Sequence, residues 1–152
     1  MKVNMAKQRD SFIESIFPNI GTDYTIISPI TPNYNCIAFA ADDYSKYWWP
    51  QRFYWPDGIP ANEDLESFIE CYKLLGYKEC FMDSNFEEGY EKVAIYCTPS
   101  GRPTHAAKQI TNEIWKSKLG PYYDIEHKLE GLNGWINDQS YGYVACILKR
   151  KQ

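Results

Sequence analysis

The stretch Pro32-Asn33-Tyr34-Asn35-Cys36-Ile37-Ala38-Phe39-Ala40-Ala41 constrains the fold of this chain more than any other. Pro32 and the two asparagines favour a turn, and Asn35 is a strong helix N-cap. The run that follows is small and apolar, so the spacing predicts a short buried helix that starts at Cys36 and packs closely on a sheet. A thiol at a helix start lies beside unpaired backbone N–H groups, which stabilise a thiolate and can hold a developing oxyanion. The same position also suits a small buried hydrophobe, which free cysteine often is.

The rest of the chain reads as a support for that helix. Asp10 to Phe17 carries Phe12, Ile13, Ile16 and Phe17 at helical spacing behind an Asp/Ser cap, and Pro18 stops it. Tyr24-Thr25-Ile26-Ile27-Ser28 is β-prone and bounded by Gly21 and Pro29, as an edge strand or an extended approach to the cysteine turn. Tyr44 to Pro56 is unusually aromatic. It reads either as a lid packed on the core or as a wall of a pocket beside Cys36, with Trp48, Trp49 and Trp55 stacking on a substrate.

Asn62 to Leu75 predicts a structural helix ended by Gly76, with Cys71 inert beside its apolar face. Tyr77 to Phe81 reads as a short strand, and Asp83 to Glu91 as a polar surface loop. Strand patterns then recur over Lys92–Cys97, Thr104–Ile110 and Ile114–Leu119, which predicts an antiparallel meander. Asp124 to Leu132 reads as a short helix, and Tyr141 to Leu148 as a last strand. The fold class is α+β: one domain in which a helix-initial cysteine helix packs on an antiparallel β-sheet.

A cysteine hydrolase in this chain has to draw its base from two histidines. His105 opens a strand after a Gly/Pro turn, where a side chain can face a helix start, so Cys36 and His105 form the candidate nucleophile–base pair. His127, in the predicted acidic helix, reads as a packing or surface residue. The group orienting the imidazole depends on hairpin register. A three-residue turn puts Ser117 on the face of His105, a two-residue turn puts Lys116 and Lys118 there, and a backbone carbonyl near Gly120 would serve as well. Ser117 is preferred. Oxyanion donors would be the Cys36 N–H and a group from Asn33 or Tyr34, with Asn35 occupied as the cap.

Composition narrows the classes. A net charge of -4 offers no basic field for phosphate backbones, so nucleic acid is not expected as a partner. Five widely spaced cysteines lack C-x-x-C pairs and ligand-spaced histidines, so neither a metal nor a cofactor is expected. The polar start and the absence of a long apolar run point to a cytoplasmic chain without membrane contact, although export without a cleaved signal would also fit. With 13 tyrosines and 5 tryptophans, some rings are expected on a recognition surface.

The Asn35-Cys36 helix start and the Thr104-His105-Ala106-Ala107 strand start together resemble the papain-like amidohydrolases of the NlpC/P60 and CHAP type. That resemblance implies Cys36 as nucleophile, His105 as base and a polar residue on the next strand as orienter, where those families use His, Asn or Gln. A wider set of segments also resembles a family of small uncharacterised bacterial proteins: Tyr34-Asn35-Cys36-Ile37-Ala38, His105-Ala106-Ala107-Lys108-Gln109, Trp115-Lys116-Ser117-Lys118-Leu119-Gly120, Asp124-Ile125-Glu126-His127 and Tyr141-Gly142. It implies only that Cys36, His105 and the Ser117-Lys118-Leu119-Gly120 segment belong together. The expected activity is hydrolysis or acyl transfer at an amide or ester of a peptide, acyl or protein substrate. The alternative is a non-catalytic module of effector, immunity or phage type that recognises a protein partner through Tyr44–Trp55.

Overall fold

The computed structural model describes residues 8–152 as one α+β unit: three short helices and an open, seven-stranded, wholly antiparallel sheet. Residues 1–7, part of the polar start read for targeting, lie outside the described residues. Helix α1 (Ser11–Ile16) is capped by Asp10, whose Oδ1 accepts from Ile13 N–H at 3.0 Å, and it buries Ile13 and Ile16. Strand β1 (Tyr24–Ser28) forms one edge of the sheet.

Helix α2 (Cys36–Ala40) starts where the turn residues place it, with Asn35 Oδ1 accepting from Ala38 N–H at 3.2 Å. All five of its residues are buried. Ala38 and Ala40 let its backbone lie close against the sheet, and the chain leaves the helix through Asp42 at φ 62°. Helix α3 (Leu65–Leu74) is capped by Asp64 instead of Asn62 and stops at Gly76, whose φ of 96° suits a residue without a Cβ.

Strands β2 (Lys78–Glu79), β3 (Tyr90–Cys97), β4 (Pro103–Gln109), β5 (Trp115–Lys118), β6 (Asp124–His127) and β7 (Tyr143–Lys151) complete the order β1-β6-β5-β4-β3-β7-β2. The meander expected from the strand patterns is therefore present. It extends one strand further, because Asp124–His127 is a strand and not a helix. A 3-10 turn, Leu129–Leu132, follows it. Ile125 and His127 alternate with the less buried Glu126, and the segment is hydrogen-bonded on both sides, to β1 and β5. Filling that gap in the sheet outweighs the weak local helical spacing.

The sheet separates two apolar layers. On one face α2, α3 and Trp48 pack on Val93, Ile95, Cys97 and Ala106. On the other, α1 packs with Tyr24, Ala94, Tyr96, Ala107, Trp115 and Ile125. Successive residues of β3 and β4 belong to opposite layers, as strand alternation requires. The loop expected to be plain surface is instead pinned: Glu87 pairs with buried Lys92 at 3.1 Å and with Lys149 at 3.0 Å, while Glu91 pairs with Lys108 and Arg150.

Candidate functional site

Asn35 builds the site. Its carboxamide caps α2 and also bonds the backbone of Trp48, accepting from N–H at 3.0 Å and donating to the carbonyl at 2.7 Å. One side chain thus fixes the cysteine and the aromatic loop relative to each other. The loop doubles back on itself, with Trp49 N–H donating to Tyr54 O and Tyr54 N–H to Tyr47 O, both at 3.0 Å, through a turn at Gln51 of φ 69°. Trp48 points into the core, and its indole N–H donates to Asp43 at 2.8 Å. Tyr47 and Phe53 stand on the outer side with ring centroids 4.5 Å apart.

A chamber of about 270 Å³ opens between this loop and the sheet, with Asn35, Cys36, Thr104 and Gly120 on its floor side and Tyr47, Trp49, Arg52, Phe53 and Tyr141 around it. A second hollow of about 310 Å³ adjoins it and shares Trp49, Arg52, Thr104 and Tyr141. Together they form one groove. Thr104 reaches it because a β-bulge puts Thr104 between the paired positions Tyr96↔His105 and Cys97↔Pro103. Its hydroxyl donates to Tyr141 O at 2.5 Å. Gly142 closes this corner with φ 83°, and a Cβ there would lie 2.0 Å from Cys97 O. The corner accepts only glycine.

The Cys36 sulfur is 4.0 Å from Thr104 O, and the N–H groups of Ala106, Ile37 and Cys36 itself favour its ionised form. Lys118 favours it as well. Burial outweighs them all and pushes the thiol up to about 11, so Cys36 is protonated at neutral pH. The Lys118 ammonium is buried and donates to Thr31 O at 2.6 Å and Gly120 O at 2.7 Å. Burial lowers its pKa, opposed by Asp124 and Cys36. Asp124 accepts from Tyr34 OH at 2.8 Å, and burial, with that bond, pushes the phenol up to about 12.

His105 stands elsewhere. It pairs with Tyr96 across β3 and β4, and so faces the α1 layer, where it stacks on Tyr141 with centroids 4.0 Å apart and an interplanar angle of 7°. It is fully buried, neither ring nitrogen has a hydrogen-bond partner among the described residues, and burial, with His127 adding, drives its pKa well below the usual value. The residue on the cysteine's side at this strand start is Thr104. Hairpin pairing of Lys108↔Lys116 and Gln109↔Trp115 does put Ser117 on the face of His105, as the preferred register requires. Yet Ser117 bonds the other histidine. Lys128 O, a pure acceptor, accepts a hydrogen bond from His127 Nδ1–H at 2.7 Å, so Nε2 accepts from Ser117 Oγ–H at 2.6 Å. Burial lowers His127 to about 4.

Of the residues expected to bind substrate, Trp49 lines the groove. Asn33 is exposed beside Thr31, Tyr34 stacks on Phe39 with its hydroxyl on Asp124, Trp48 is core, and Trp55 rests on Phe68 with its N–H on Pro60 O. The groove residues that sequence reasoning missed include Tyr47, Arg52, Phe53, Arg102, Thr104 and Tyr141. The first three lie in the aromatic loop that had been marked. The others come from distant segments that no local pattern connects. A smaller cleft of about 140 Å³, between Ser84, Glu113, Lys128 and Glu130, lies apart from this groove. Among the described residues no group of three or more His, Cys, Asp or Glu is arranged to hold a metal ion. Nor is any helix there long and apolar enough to cross a membrane.

Residues 25–149 match a family described as a domain of unknown function, DUF7689. The chain belongs to this family. The match spans Cys36, His105, Ser117, Lys118, His127 and Tyr141 together. No papain-like or NlpC/P60 family matches. No curated protein matches, and no solved structure does.

Proposed function

We propose that this DUF7689 domain is a non-catalytic binding module whose recognition site is the groove over Cys36, and that its ligand is a peptide segment of a protein partner. The observation that carries the reading is the division of chemistry between the two faces of the sheet. The groove holds a neutral thiol among aromatic rings, while both histidines lie in the opposite layer. Tyr47, Trp49, Phe53 and Tyr141 are the residue types that anchor partners, and before any ligand arrives Asn35 holds the loop backbone at Trp48 and Thr104 holds that of Tyr141.

A second reading, a thiol hydrolase or acyltransferase on a papain-like frame, draws support from the N–H groups of Ala106 and Ile37 and the Lys118 charge acting on the sulfur. One experiment separates the two. Iodoacetamide labelling of Cys36 is followed by mass spectrometry across pH 6–10, with and without a pool of apolar tripeptides. The binding reading expects labelling that rises throughout that range with no plateau near neutrality, and slows when peptides are present. Fast labelling at pH 7, or labelling that no peptide slows, overturns it.

A further inference from the structure

The groove has two unlike ends. Around Cys36 it is walled by Tyr47, Trp49, Phe53 and Tyr141, with Arg52 at its junction with the second hollow, and the neutral thiol there asks for no charged partner. Beyond Thr104 it opens between Arg52, Arg102, Glu63 and Asp138. Among the described residues neither guanidinium makes a hydrogen bond or ion pair, and the Asp138 carboxylate makes none either. Glu63 differs, because it accepts the Trp49 indole N–H at 3.3 Å and so serves to hold the wall.

An apolar chamber that meets two unpaired arginines fits a ligand whose bulky apolar group and anionic group sit on neighbouring atoms. The guanidinium fork matches a carboxylate in two-point geometry. Asp138 on the same rim disfavours a second anion and favours a cation a residue or two away. A peptide's last residue combines the first two features on one carbon, and its upstream neighbours can supply the third.

We infer that the groove captures the carboxyl terminus of a partner peptide: the last side chain, aromatic or large and aliphatic, enters the Cys36 chamber, and the terminal carboxylate lies against Arg52 and Arg102. This rests on the groove being the peptide site proposed above. Asp138 selects a basic residue shortly before the terminus.

Isothermal titration of the full chain tests it with N-acetyl-Lys-Gly-Phe as free acid, the same peptide as carboxamide, N-acetyl-Glu-Gly-Phe as free acid, and 3-phenylpropionate. The Lys-Gly-Phe acid is expected to bind about tenfold more tightly than its carboxamide, and more tightly than the Glu-Gly-Phe acid. Arg52→Gln and Arg102→Gln, both at exposed positions, are expected to abolish the acid–amide difference and leave the melting temperature unchanged. Equal binding of acid and carboxamide overturns the carboxylate assignment while the peptide-groove reading stands. Equal binding by 3-phenylpropionate overturns the peptide terminus as the source of the carboxylate. Binding by none of the four overturns the inference, and unslowed Cys36 labelling under the same peptides then removes the groove reading too.

Discussion

The two faces of the sheet spend their polar residues differently. On the α2 face Asn35, Thr104 and Lys118 bond backbone carbonyls and N–H groups, and that scaffold leaves a groove open above Cys36. On the α1 face Ser117 and His127 bond each other, while His105 lies between Tyr96 and Tyr141 without a hydrogen bond. The chemistry that a thiol enzyme would put in one place is divided between the two layers, and Tyr141, which lines the groove and stacks on His105, touches both. Polar groups of similar kinds therefore end in unlike roles: on one side they shape a recessed surface, and on the other they sit in the core as neutral groups.

If the histidines are core residues, acid should break their face first. An unfolded histidine titrates near 6.5, and folded His127 near about 4. Between these values the unfolded chain binds the extra proton, so stability rises with pH and is lost as pH falls from 7 to 5. His127 alone should cost about 2 kcal/mol over that window, and His105, lowered in the same direction, adds to it. Urea midpoints at the two pH values measure this. A flat profile would mean that the imidazoles are hydrated, and the contrast between the faces would fail.

Ser117→Ala removes the donor to His127 Nε2 and leaves a buried acceptor unpaired, so a loss of about 1–2 kcal/mol is expected in the same unfolding assay. Peptide binding in the groove should not change, because Ser117 faces the other layer. A loss of binding with unchanged stability would join the two faces functionally.

His105→Phe should have the smallest effect. It keeps a ring against Tyr141 and deletes two unpartnered nitrogens, so stability at pH 7 should stay within about 1 kcal/mol or rise, and the acid sensitivity should weaken. Groove binding should be unaltered as long as the new ring keeps Tyr141, a wall of the groove, in place. Loss of a Cys36-dependent activity in this variant would restore the histidine to the site.

Much of the local structure was legible along the chain. Asn35 declared the start of α2, Asp10 that of α1, and the alternating runs from Lys92 to Leu119 announced the meander, while its hairpin register, open between a two- and a three-residue turn, was fixed by the pairing of Gln109 with Trp115. These depend on near neighbours: a cap reaches three residues, and a strand pattern repeats every two. Asp124–His127 was misleading because its local pattern is short, and pairing with β1 and β5 decided its conformation. Tyr141 and Arg102 could not be assigned to the groove from sequence, since only the closure of the sheet brings them beside Trp49.

The sequence by itself determined where α1 and α2 begin, which residues could carry chemistry, and that a thiol would sit at a buried helix start. Tertiary structure decided which of them meet. One residue of shift along a strand turns a side chain to the opposite face, so the bulge and the pairing of β3 with β4 gave Thr104 to Cys36 and His105 to the core. That choice depends on hydrogen bonds between strands and on the shape of two apolar layers, neither of which is encoded within a single short segment.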